Sequence, residues 1–397
     1  MTRFLRRVIE QIRPKVLCDG HSLNVIYFTK KENLITLSIH SVGRCWSSKL
    51  IREINIEEAL EMRDALLIDV RSEQEYLEDT IPGAINVPLF NDQERAAVGK
   101  VYRHEGHEAA GRLGLKLVAP QLCEKVAYVD KTMPGEKKIV LFCWRGGQRS
   151  RFMATVFDAM GYDVYCLTGG YKSYRRYVSS YLSHEELAQK AVVLYGLTGV
   201  GKTEVLTGLA HMGLPALDLE GLARHRGSVF GKIGLPSSPS QKDFESKIVN
   251  FLTEVVGEEG IFLVECESKR VGNLLVPNPV INSMKKGYRV LLYASMESRV
   301  KRIRKVYTAG PGENIKQLQD AVSCLARKIG YSRAEELKRL LESREFTHVF
   351  TYLLKNYYDP LYKYPNAPSA EFDLCVTTED IEYALKKIYD FVAGLKN

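Results

Sequence analysis

Apolar residues fall along this chain in short continuous blocks, separated by stretches in which they recur every three or four positions. Leu66–Val70, Lys138–Cys143 and Asp163–Leu167 are blocks of the first kind, with helical periodicity at Glu73–Glu78 and Arg149–Met160 between them. A second set follows at Ala191–Tyr195, Gly260–Val264 and Tyr288–Tyr293. Strands alternating with helices predict a parallel sheet in each set, hence two α/β units. Tyr174–Lys190 reads as a polar helix linking them, and beyond Glu297 the pattern is mainly helical, with a Tyr-rich break at Tyr357–Tyr364. Ahead of Ile54, a basic helical start leads into strand-like runs at Leu23–Thr29 and Leu34–Ser41. The expected organisation is a basic extension over 1–52, one α/β domain over 53–180, and a second over 190–397 with a helical C-terminal part.

At 397 residues the chain exceeds one ordinary core, which agrees with that division. Its 45% hydrophobic and 26% charged residues exclude wholesale disorder. No run approaches the roughly 18 uncharged apolar residues of a membrane span, so no membrane partner is expected. The eight cysteines form no Cys-x-x-Cys pair or zinc-ligand spacing, and Met1–Lys15 lacks the apolar core of a secretory signal. Reduced thiols and a cytoplasmic location are the expectation. The net charge of +8 is uneven: residues 1–52 hold ten Lys/Arg against three acids, and residues 297–344 hold twelve against six. Two basic regions on a mildly acidic body suit a polyanionic partner, or equally two solvated helix faces.

Cys143-Trp144-Arg145-Gly146-Gly147-Gln148-Arg149-Ser150 lies between the block Ile139–Phe142 and a helix. A loop in that place aims backbone N–H groups and a helix dipole at one point, and two glycines let it curl into a nest. Arg145 and Arg149 add full charges. A thiol held there has its pKa lowered, and the same cradle accepts an oxyanion. The bland alternative for Cys143 is a small buried hydrophobe at a strand end.

Gly196-Leu197-Thr198-Gly199-Val200-Gly201-Lys202-Thr203 fits G-x-x-x-x-G-K-[ST], directly after an apolar strand and before an apolar-periodic helix. Its backbone N–H groups would wrap a diphosphate, with Lys202 as a point charge and Thr203 open to a phosphate or metal. The apolar run Ile261–Val264 ends at Glu265, as a Walker B strand does; Glu265 or Glu267 could hold Mg2+ or orient a nucleophile. No metal ligand is certain, and a phosphate loop does not say which phosphorylated ligand binds. His104 and His107 lack a third ligand and read as a surface pair. Tyr357, Tyr358, Tyr362 and Tyr364 would suit stacking on RNA bases or packing in a core.

Leu67-Ile68-Asp69-Val70-Arg71, Glu75-Tyr76 and Ile81-Pro82-Gly83-Ala84-Ile85-Asn86-Val87-Pro88 resemble the structural signature of rhodanese-type sulfurtransferases. The Cys-x5-Arg spacing is also that of cysteine phosphatases, but Phe142 stands where those carry His. A rhodanese-like domain followed by a P-loop domain resembles the bacterial tRNA 2-selenouridine synthase family. Pro88-Leu89-Phe90-Asn91-Asp92, Val98-Gly99, Gly169-Gly170-Tyr171-Lys172, Asp218-Leu219-Glu220, His225-Arg226-Gly227-Ser228, Phe244-Glu245 and Tyr358-Asp359-Pro360 carry the likeness, over roughly residues 54–365. Cys266 stands where an acid is expected and Lys269 where Arg is expected, while residues 1–52 lie outside the resemblance.

That resemblance implies replacement of sulfur by selenium in wobble 2-thiouridine of tRNA, with selenophosphate as donor and an S-geranyl intermediate made from geranyl diphosphate. It implies Cys143 as nucleophile or chalcogen carrier, with Arg145 and Arg149 binding the oxyanion. From the loop itself we infer that Gly196, Thr198, Gly199, Gly201, Lys202 and Thr203 would hold the diphosphate of geranyl diphosphate, with a nucleotide as the alternative ligand. Arg224, His225, Arg226, Arg302, Lys305 and Tyr358 become candidate contacts to the tRNA anticodon region, and a selenophosphate-producing enzyme a candidate partner. The competing expectations are a sulfurtransferase fused to a small-molecule kinase or ATPase, and a tRNA-binding protein with a vestigial first domain. The intact cysteine loop weighs against the last.

Overall fold

The computed structural model describes residues 51–133, 138–257, 260–308, 314–362 and 364–395, with the backbone of three strands between 16 and 42. Contacts divide the chain into two compact units: residues up to Ser72 with Ile85–Tyr171, and Glu73–Ala84 with Lys172–Asn397.

The first unit holds five parallel strands in the spatial order Arg52–Ile54, Asp163–Leu167, Lys138–Phe142, Leu66–Asp69 and Ile85–Asn86. Ile139, Val140, Leu141 and Phe142 are fully buried, as a strand covered on both faces requires. The helix expected at Arg149–Met160 runs Gln148–Ala159 and turns Met153, Ala154 and Phe157 into the core. Asn91 caps the helix Asp92–Glu105 through a reciprocal capping box with Glu94. Val16–Cys18, Leu23–Lys31 and Leu34–Val42 form a separate antiparallel sheet, so both strand-like runs of the extension are strands. The basic start at residues 1–15 lies outside the described residues.

In the second unit the order is Ala216–Leu217, Ile261–Glu265, Lys190–Tyr195, Tyr288–Tyr293 and Leu374–Thr377, again all parallel. The strand Lys190–Tyr195 sits at the centre, so the loop that follows it opens at the carboxyl end of the sheet, the usual ligand crevice of such folds. The helices Met296–Tyr307, Ile315–Ile329, Tyr331–Glu342 and Phe346–Leu353 build a core of their own around Leu318, Val322, Leu341 and Val349.

Two expectations change, and the mainly helical C-terminal region gains one short strand. The linking helix runs Gly170–Tyr181 rather than Tyr174–Lys190 and stops well before the next strand. The Tyr-rich segment is not a break: Leu354–Tyr358 is a π-helical turn and Asp359–Tyr362 continues as helix. The region beyond Glu297 also returns to the sheet through Leu374–Thr377, an element too short for its pattern to mark.

Residues 73–84 cluster with the second unit for a visible reason. Asp79 accepts from Ser246 Oγ at 3.0 Å and lies 3.5 Å from Arg175, which also bonds Glu245 at 2.6 Å. Ser240 Oγ donates to the Glu78 carbonyl at 2.6 Å. The second unit thereby takes in residues from within the span assigned to the first domain.

Candidate functional site

Cys143 follows the buried strand Lys138–Phe142 and is itself 4% exposed. The Gly147 N–H donates to Cys143 Sγ at 3.2 Å, and Ser150 Oγ lies 3.4 Å from the same sulfur. Burial alone would raise the thiol pKa. The Ser150 hydroxyl, the backbone around Ser150 and Arg145, and the Arg149 charge outweigh it and pull the pKa below the ordinary value. Cys166, buried without such donors and facing the Glu53 charge, is pushed up to about 11. The loop makes the difference, as the sequence context required.

The cradle is closed from the far side by the turn into the next helix. The Tyr171 N–H donates to the Cys143 carbonyl at 2.8 Å, and a Cβ on Gly170 would fall 2.2 Å from that carbonyl. Gly170 also sits at φ +56°, so both space and backbone demand glycine there. Behind the turn, the Tyr171 ring receives the Arg71 guanidinium 3.8 Å from its centroid. Arg71 donates to the fully buried Asp69 through Nε, at 3.0 Å to each carboxylate oxygen, and through Nη2 at 2.6 Å. The sequence offers Asp69 and Arg71 only as a family signature; their work is to prop the cysteine loop. Arg145 is exposed and Arg149 half-buried.

Beside this loop is a cavity of about 590 Å3 whose wall includes Gln148 and Arg149. His107 lines it, in contact with Gln148, while His104 is exposed one helix earlier, across Gly106.

In the second unit the phosphate loop runs from Gly196 to Thr203. Gly196 sits at φ +144° with its would-be Cβ 2.4 Å from the Leu292 carbonyl, a packing only glycine permits. Lys202 Nζ rests on the Gly196 carbonyl at 3.2 Å. Thr198 anchors the loop through its carbonyl, which accepts from Arg299 Nε at 2.8 Å. An apolar slot touches Thr198, walled by Phe230, Ile303, Tyr307, Leu353 and Tyr358 and closed down to about 20 Å3.

Glu265 ends its strand 3% exposed, and its Oε1 has no hydrogen-bond partner among the described residues. Carboxylate oxygens of Glu220, Glu265 and Glu267 lie within 4.8 Å of one another. Burial, then the charges of its two neighbours, pushes Glu220 up to about 9. Burial likewise raises Glu265 to about 7 against the pull of Lys202 and a Thr203 hydrogen bond, and Glu267 rises for the same first reason. Three crowded carboxylates beside Lys202 and Thr203, one with an unsatisfied oxygen, fit a divalent cation. Glu220 carries no role in the sequence pattern; its place in the cluster depends on tertiary contact with a strand 45 residues on. Cys266, where an acid is expected, instead contacts the Tyr364 hydroxyl at 3.3 Å.

The expected tRNA contacts separate. Arg224 and Lys305 are exposed. His225 is 8% exposed, Tyr358 is 7% exposed, and both are packed inside the unit. Arg226 donates to the Ile233 carbonyl at 2.8 Å, and Arg302 lies 3.3 Å from Glu204. Within the run 299–305, Lys301, Arg304 and Lys305 face solvent while Arg299 is buried.

Comparison with known proteins bears on both units. The tRNA 2-selenouridine synthase AAA domain matches residues 189–386, and the rhodanese-like domain matches residues 55–177. The tRNA 2-selenouridine synthase of Bdellovibrio bacteriovorus is 32% identical over 335 residues, 75% of this chain and 87% of that protein. The one from Pseudomonas syringae pv. syringae is 34% identical over 334 residues, covering 77% and 90%. That of Azotobacter vinelandii is 33% identical over 363 residues, covering 84% and 96%.

Proposed function

The chain belongs to the tRNA 2-selenouridine synthase family, and from that premise we propose that it replaces the sulfur of wobble 2-thiouridine in tRNA by selenium in two steps. In the first, the thiouridine sulfur attacks C1 of geranyl diphosphate; the C1–O bond breaks and diphosphate leaves with the electron pair. In the second, selenium from selenophosphate replaces the geranylated sulfur at C2 of the base.

The observation that carries this reading is the lowered thiol of Cys143 inside an N–H and arginine cradle. Its thiolate attacks C2, and geranyl thiolate departs with the C2–S electrons. The selenium of selenophosphate then attacks the same carbon and returns Cys143 as thiolate. Water takes the phosphoryl group, leaving 2-selenouridine and phosphate. No atom changes oxidation state, whereas a perselenide on Cys143 with phosphate as product would need an oxidant. This favours nucleophile over chalcogen carrier. Arg145 and Arg149 hold the selenophosphate oxygens.

For the first step, the N–H groups from Gly196 to Thr203 and the Lys202 ammonium take the leaving diphosphate. Those contacts engage a diphosphate whatever is esterified to it, and the S-geranyl step makes geranyl diphosphate the ligand proposed here. A divalent cation held by Glu220, Glu265 and Glu267 would neutralise charge on the diphosphate. The exposed Lys301, Arg304 and Lys305 offer phosphates of tRNA a positive face in a protein of the cytoplasm.

The test is Lys202→Ala assayed on thiolated and on pre-geranylated tRNA, with and without ATP. Use of geranyl diphosphate should fall at least about 100-fold while selenation of pre-geranylated tRNA survives. A strict ATP requirement in the wild type would instead favour a kinase or ATPase step at the loop.

A further inference from the structure

The cavity beside the cysteine loop is large for a domain of this size and mostly apolar. At about 590 Å3 it falls within the ~300–1,000 Å3 of small-molecule sites, whereas packing voids rarely exceed one water. Leu89, Phe90, Val98, Leu115, Val118 and Phe152 supply the apolar wall. Arg149 belongs to both places: it lines the cavity, and its charge acts on the Cys143 thiol.

The sequence keeps this space open at a cost to its helices. Gly99 lies inside the helix Asp92–Glu105, and Gly111 and Gly114 inside His107–Val118, where glycine is a poor helix former. A Cβ on Gly99 or on Gly111 would meet nothing within 4 Å among the described residues, although both residues line the cavity. A Cβ on Gly114 would come 2.9 Å from the Phe90 ring, so that glycine lets Phe90 lie flat as part of the wall. None of the three has a positive φ, so backbone conformation gives no reason for glycine. Room does.

We propose that this cavity is the binding site for the geranyl chain of S-geranyl-2-thiouridine while Cys143 and selenophosphate act on its C2. The inference rests on the two-step reading above and adds to it a second prenyl site, in the first unit and separate from the phosphate loop. A branched ten-carbon chain is apolar throughout and asks for no hydrogen bonds, as this wall requires. Its sulfur end carries the reacting carbon toward the loop that shares Arg149. A cavity selective for the chain also explains why an alkyl group would be attached before selenation: it supplies binding energy to the displacement step and a leaving group that the site can recognise.

The experiment compares two anticodon stem-loop RNAs, one carrying S-geranyl- and one S-methyl-2-thiouridine at the wobble position. Binding to the full chain is read as the ratio of the two dissociation constants. Wild type should prefer the geranyl RNA by at least about 100-fold, from the burial of nine further carbons. Gly111→Leu and Gly99→Leu fill the cavity from different helices, with better helix formers and no clash at Cβ. Each should bring the ratio below about 5 while thermal melting shows the fold retained. A wild-type ratio that both leucine variants retain overturns the cavity assignment and leaves the two-step reading standing. A wild-type ratio near one removes the S-geranyl base as a recognised substrate, and with it both readings.

Discussion

Arg299 and Asp359 lie 60 residues apart in sequence and form a two-pronged ion pair, with Nη1 to Oδ2 at 3.0 Å. Arg299 is 1% exposed, and its Nε reaches past the pair to the Thr198 carbonyl of the phosphate loop at 2.8 Å. Asp359, next to the expected RNA contact Tyr358, therefore braces the phosphate loop through Arg299. Removing one partner of a buried pair leaves an uncompensated charge, a loss of about 3 kcal/mol. Asp359→Ala should lower the melting temperature by several degrees and weaken diphosphate binding together, with Asp359→Asn milder on both. Calorimetry with a diphosphate titration reads the two; an unchanged melting temperature would sink the bracing role.

Cys143 should react with iodoacetamide along a pH profile whose midpoint lies below the ordinary thiol value, while Cys166 stays inert until strongly alkaline pH. The Ser150 hydroxyl outranks the Arg149 charge among the groups that lower the thiol. Ser150→Ala should move the midpoint up further than Arg149→Gln. Peptide mass spectrometry across pH distinguishes them, and coincident profiles for Cys143 and Cys166 would contradict the cradle.

The acid cluster predicts a pH dependence of stability. Glu220, Glu265 and Glu267 have raised pKa values in the folded chain, so folding holds their protons more tightly than the unfolded state does. Their stabilising contribution is complete below the ordinary carboxylate value of 4.5 and is lost as pH rises toward about 9. In EDTA, melting temperature should fall across that range. Glu265→Gln should flatten the fall, and millimolar Mg2+ should oppose it by binding the ionised carboxylates. A wild-type slope indifferent to both changes would count against the cluster as a cation site.

Binding of tRNA should weaken steeply with salt, because each phosphate neutralised releases counterions. Lys301→Ala, Arg304→Ala and Lys305→Ala together should reduce the slope of log affinity against log salt by about one unit for each phosphate no longer neutralised. Tyr358→Phe, at a buried position, should leave the slope alone. Filter binding over a salt series is the measurement, and an unaltered slope in the triple variant would place the tRNA on another face.

Chemistry that depends on neighbours along the chain is legible in the amino-acid sequence by itself. A strand, two glycines and a helix start around Cys143, or Lys202 and Thr203 directly after Gly201 in a loop opened by Gly196, define their backbone geometry locally, so the residues name the cradle. The short apolar strands are readable for the same reason: burial on both sheet faces leaves a continuous hydrophobic block. What depends on distant segments meeting cannot be read this way. Glu220 joins Glu265 and Glu267 only because two parallel strands end side by side, and an acid in a helix carries no mark of that meeting. Arg299 is one more solvated charge by its pattern until Asp359 closes over it, and Tyr358 suits an RNA base or a core equally until Phe230, Tyr307 and Leu353 gather beside it. The glycines at 99, 111 and 114 are, along the chain, weak spots in two helices. The tertiary structure turns them to one side and shows that they border a single open space, because a cavity belongs to the surfaces that surround it and to no one of them.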